Sequence, residues 1–81
     1  MAQWIDADGG WELTVAGDAR IELLIEEVQG THYLSLRIEV GINGYTETVQ
    51  TADDLEALVH FARNWMNLNM DPEALIHEKL A

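Results

Sequence analysis

The 81-residue sequence is 48% hydrophobic, has no cysteine, and sets fifteen Asp and Glu against four Lys and Arg, for a formal net charge of −11. That size fits one domain over residues 1–81, with a core burying about 60–65% of the surface the unfolded chain exposes. The composition excludes a disulfide scaffold, a Cys-ligated zinc and a span of about 18 apolar residues, and a surface so acidic repels nucleic acid and anionic membrane.

The opening residues, "MAQWIDADGG", have neither a basic segment nor an apolar one, so no signal peptide is expected and a cytoplasmic location is the expectation. Within "WIDADGGWE" two readings compete. Asp6, Asp8 and Glu12 suggest a calcium loop, but an EF-hand numbered from Asp6 would need Gly at its sixth position and Glu at its twelfth, where Trp11 and Gly17 stand. Asp8-Gly9 between alternating apolar residues is instead a strong hairpin signal. It sets Ala7 opposite Gly10, Asp6 opposite Trp11 and Trp4 opposite Leu13, and puts Trp11, Leu13 and Val15 on one face.

"AGDA" at 16–19 marks a turn, and "RIELLIEEV" then alternates Ile21, Leu23 and Ile25 inward with Arg20, Glu22, Leu24 and Glu26 outward. After "QGT" at 29–31, His32, Leu34, Leu36, Ile38 and Val40 share the inner face, against Tyr33, Ser35, Arg37 and Glu39. Asn43-Gly44 is a type I′ signal. It predicts Ile42 opposite Tyr45, Val40 opposite Glu47 and Ile38 opposite Val49, with the hairpin tip carrying Glu47 into water.

The period then changes from 2 to 3.6. Thr51 and Asp54 form a capping-box variant, and Leu55, Leu58, Val59, Ala62, Trp65 and Met66 make an apolar stripe widened by Phe61 and Leu68. Asp71 and Pro72 open a second helix with Leu75, Ile76 and Leu80 on its apolar side. The pattern predicts an α+β fold: an antiparallel four- to five-stranded β-meander over about 3–50, one face covered by an amphipathic helix over about 52–68 and a second short helix over about 72–80.

Nothing in the pattern assembles a catalytic set. The hydroxyls of Thr31, Ser35, Thr46 and Thr48 have no evident base, and His32, His60 and His77 are scattered. His77-Glu78 lacks the second histidine of a His-Glu-x-x-His zinc motif. No catalytic residue, metal ligand or cofactor is therefore expected, and the expected function is non-enzymatic. The better candidate is the outward sheet face, where Glu22 and Glu26 flank Leu24, Glu39 lies on the next strand, and Tyr33 offers an aromatic anchor. Such a face suits a basic protein surface, and rigidly spaced carboxylates can imitate a row of phosphates. Against this stands ordinary pairing of Arg20 and Arg37 with these glutamates across strands.

Strands ending in a capped, Trp-bearing helix, "TADDLEALVHFARNW", and then a short acidic helix, "MDPEALIHEKL", make the chain resemble small phage-encoded anti-defence proteins, anti-CRISPRs among them. The resemblance is architectural and transfers no residue. It implies an inhibitor that blocks a basic, nucleic-acid-binding effector, while the expectation for the chain itself is a monomer or homodimer that, given its charge, binds no nucleic acid directly. Two alternatives are an assembly subunit that oligomerises through Trp4, Leu24 or Phe61, and a small ligand-sensing domain with a pocket between sheet and helix.

Overall fold

A computed structural model describes residues 2–81 and gives a five-stranded antiparallel meander followed by two helices. The strands are β1 (Trp4–Ala7), β2 (Gly10–Leu13), β3 (Ala19–Val28), β4 (Thr31–Val40) and β5 (Asn43–Ala52), and their order in the sheet is their order in the chain. The helices, α1 (Leu55–Leu68) and α2 (Pro72–Leu80), cover one face. This is the α+β arrangement that the alternating strands and the later 3.6 period predict.

The first hairpin has the predicted register, with Ala7, Asp6 and Trp4 opposite Gly10, Trp11 and Leu13. Gly9 makes the turn possible at φ +79°, a conformation that a side chain disfavours. Gly10 has a different reason to be glycine. A Cβ there would press on the Leu23 carbonyl oxygen and the Leu24 backbone, so β2 approaches β3 as closely as it does only because position 10 is bare.

The β4–β5 hairpin departs from expectation. The chain turns at Gly41-Ile42, not at Asn43-Gly44, so Val40 faces Asn43, Ile38 faces Tyr45 and Leu36 faces Glu47. Gly41 sits at φ +59° at the first central position, as a two-residue type II′ turn requires. A displacement by two residues preserves which side chains face inward. It seats Tyr45 beside the core residue Ile38 and leaves Ile42 fully exposed at the tip. Glu47 accordingly lies in mid-strand and not at a solvated tip. A bulge between Leu34 and Ser35 gives β5 its extra residue near Val49.

The core is a single layer between sheet and helices. Leu13, Ile21, Leu23, Leu34, Leu36 and Ile38 are fully enclosed beneath Leu58, Ala62 and Met66 of α1 and Leu75 of α2. α1 begins later than predicted, because β5 runs on to Ala52, Thr51 pairs with Tyr33, and Asp54 becomes the N-cap that accepts from the Glu56 N–H. Leu68 does not widen the apolar stripe: it is 84% exposed at the last turn. Asp71 caps α2 and Pro72 opens it, as the sequence indicates. Trp4 fastens β1 to the end of α1. Its indole Nε1 donates to the Asn69 carbonyl at 2.9 Å, and its ring meets Trp65 edge-on with centroids 6.0 Å apart.

Candidate partner-binding face

Antiparallel pairing turns the outward residues into cross-strand rows. Arg20 lies opposite Glu39; Glu12, Glu22, Arg37 and Thr46 form the next row; Gly10, Leu24, Ser35 and Thr48 the next; Glu26, Tyr33 and Thr51 the last. Glu22, Leu24, Glu26, Tyr33 and Glu39 therefore share one face, as predicted. They do not make a continuous carboxylate row. Glu22 and Glu26 are four residues apart, about 13 Å along the strand, and Glu39 lies one row beyond Glu22 on the far side from Glu26.

Two arginines stand among these glutamates. Arg37 Nη1 is 3.8 Å from Glu22 Oε1, and Arg20 Nε is 3.8 Å from Glu12 Oε1. Both distances are ion pairs without hydrogen bonds. The Glu22 Oε1 atom is enclosed with no hydrogen-bond partner, so Arg37 compensates its charge through space alone. The outer face thus holds four glutamates and two arginines, net −2, which leaves −9 of the −11 elsewhere.

Much of the remainder gathers at one end. Thr31 Oγ1 donates to Asp53 Oδ1 at 3.3 Å, joining the β3–β4 turn to the connection between β5 and α1. This brings Asp53, Asp54 and Glu56 to the end of the sheet where Glu26 and Glu27 lie. Among the described residues, none of these five carboxylates is ion-paired. Here the outer face also has relief: a shallow depression of about 240 Å³ lined by Glu26, Val28, Tyr33, Ser35 and Thr48. Val28 is exposed beside it, and Tyr33 and Leu24 are half-buried.

The other charged contact of note lies at the margin of the covered face. Lys79 Nζ is 2.7 Å from Glu47 Oε1 and 3.5 Å from Glu78 Oε1, and sits 5.9 Å from the centre of the Tyr45 ring. The hydrogen bond to Glu47 leads in raising the lysine above its ordinary 10.5, against the opposing effect of burial. The sequence carries a signal for this pair, since an acidic residue at an inward strand position, Glu47, needs a cation on the covering helix.

Of the remaining candidates, His60 and His77 are exposed, while His32 faces inward opposite Ala52 with an enclosed, unbonded Nδ1. Among the described residues no group of three or more His, Asp or Glu is arranged to hold a metal ion, and Asp6 and Asp8 belong to the hairpin. Trp4 and Phe61 are partly buried and pack against the core. No helix is long and apolar enough to cross a membrane among the described residues. No family model matches this chain, and neither does any curated protein or solved structure.

Proposed function

We propose that this chain is a non-enzymatic module that binds a basic protein surface through the Glu26 end of its outer sheet face. One observation carries the reading: arginines offset Glu12 and Glu22, whereas Glu26 stands without a cation beside Tyr33, Leu24 and an open depression. An uncompensated carboxylate next to half-exposed aromatic and aliphatic groups combines steering charge with an anchor that gains by leaving water. Blocking a nucleic-acid-binding effector is the specific form of this proposal. Because Arg20 and Arg37 interrupt the row, the docking we propose relies on the end of the face more than on phosphate-like spacing along it.

The test is capture from a bacterial lysate at low and high salt, using wild type, a Glu26→Lys/Tyr33→Ala variant, and an Asp18→Lys/Glu73→Lys control. Asp18 and Glu73 lie away from the Glu26 end and reverse as much charge or more. The reading expects a basic protein that wild type and control retain at low salt and that high salt or the face variant releases. If the face variant retains what wild type retains, the acidity serves solubility and the proposal fails. A second reading, small-ligand sensing, draws on a depression of about 420 Å³ where Trp4 and Trp11 meet Arg63 and Met66 of α1. A ligand-induced rise in melting temperature that Trp11→Ala abolishes would favour it.

A further inference from the structure

The two edges of the sheet differ. β1 offers a partner four residues, whereas β5 offers ten, and among the described residues no further strand lies beyond it. Natural sheets guard long edges with lysine, proline or a covering loop. The segment Asn43–Ala52, "NGYTETVQTA", holds no Pro, Lys or Arg, and its one bulge comes late, near Val49.

The hairpin fixes which backbone groups are free. Across a two-residue turn the flanking residues Val40 and Asn43 bond to each other, and the alternation makes Ile38/Tyr45 and Leu36/Glu47 the next bonded pairs. The N–H and C=O groups of Gly44, Thr46 and Thr48 therefore point away from β4 into the open edge. Beyond the bulge, the Thr51 N–H is taken by the Gln50 Oε1 at 3.1 Å, so the edge is occupied there and open from 44 to 48.

We propose that this open segment pairs with the same segment of a second copy, antiparallel, with Thr46 on the two-fold axis. Charge selects the occupant. A chain of net −11 repels its own copies least where a strip carries no net charge, and β5 is such a strip because its one carboxylate, Glu47, is held by Lys79. Register follows from the same pair. With Thr46 facing Thr46 of the second copy, Gly44 meets Thr48, and Glu47 meets Tyr45, over which Lys79 lies. Centring on Glu47 instead would set two glutamates directly opposite each other, which is destabilising. The chosen register closes about six backbone hydrogen bonds and places Thr against Thr on the outer face. An axis normal to the sheet keeps both outer faces on one side, as an isologous contact requires.

The absence of cysteine makes the register directly testable in the full chain. Thr46→Cys would place two thiols on a bonded antiparallel pair with Cα atoms about 5.5 Å apart, inside the range a disulfide bridges. In Thr48→Cys the two positions would stand roughly 13 Å apart along the strands, beyond that range. Both side chains are exposed, so neither variant disturbs the core. Under mild oxidation Thr46→Cys should cross-link nearly completely and Thr48→Cys hardly at all. By sedimentation, wild type should show twice its 9.1 kDa mass over a dilution series, and Thr46→Lys/Thr48→Lys the single mass with an unchanged far-UV spectrum. Wild type at the single mass throughout, equal cross-linking of the two cysteine variants, or a dimer that survives the folded lysine variant would each overturn the proposal.

Discussion

The two faces of the sheet are built from the same strands by the same alternation, yet they obey different constraints. On the covered face, side chains from five elements close on one another, and six strand residues have no exposed surface at all. On the open face, charges meet across strands at 3.8 Å without hydrogen bonds, and half-buried Leu24 and Tyr33 lie among them. The first face leaves little freedom to change. The second is where a sequence can vary its chemistry without losing its fold, and so is the natural place for recognition.

The sharpest way to break this comparison is to truncate the covered face. Leu36→Ala or Leu58→Ala removes a fully enclosed side chain and should cost about 2–5 kcal/mol, most of the stability of a domain this small. Chemical denaturation measures it. A variant melting within a few degrees of wild type would show that the layer under the helices is not the core. Gly10→Ala should follow at about 1–3 kcal/mol, because its methyl meets Leu23 and Leu24 backbone that cannot swing aside. Gly9→Ala, with open space around it but a positive φ, should cost only about 1 kcal/mol.

These glycines also show what the sequence made legible. Alternation and the Asp8-Gly9 pair were enough for the first hairpin, since turn and hydrophobic face agree there. In the β4–β5 hairpin Asn43-Gly44 offers the better turn dipeptide, and the chain uses Gly41-Ile42. Local turn preference gave way to packing: the earlier turn pairs Tyr45 with Ile38 and brings Glu47 under Lys79. Inward and outward assignments survived because the displacement is two residues. The face with Glu22, Glu26, Glu39, Tyr33 and Leu24 was therefore readable. Which of its carboxylates lack a cation was not, since that depends on cross-strand register and on the folding of Asp53 toward Thr31.

Two ion pairs sharpen the comparison at intermediate cost. Lys79 and Glu47, hydrogen-bonded at the margin of the covered face, should contribute on the order of 1 kcal/mol, and Arg37 and Glu22 less. The lysine is raised in the folded state, so its contribution is complete below its unfolded value near 10.5 and is lost as pH climbs through the higher folded value. Wild type should therefore lose stability on the alkaline side of pH 10.5 more steeply than Lys79→Met, measured by denaturation across that range. Parallel curves would mean that the pair makes no difference to folding.

The smallest expected effect on stability belongs to the residue proposed to matter most for binding. Glu26 lies exposed at the end of β3 with no ion pair among the described residues, so Glu26→Lys breaks no contact and fills no cavity. Its unfolding free energy should shift by under about 0.5 kcal/mol. Association with a basic partner should nevertheless slow, and its rate should depend less on salt, because the steering field at that end is weakened while Tyr33 and Leu24 still make contact. Tyr33→Ala should do the reverse: a similar association rate, and faster dissociation as the anchor is lost. Rates measured at two ionic strengths separate the two. If both variants change only dissociation, charge at this end does not steer. If Glu26→Lys also lowers stability by more than about 1 kcal/mol, the open face is constrained after all and the contrast between the two faces fails.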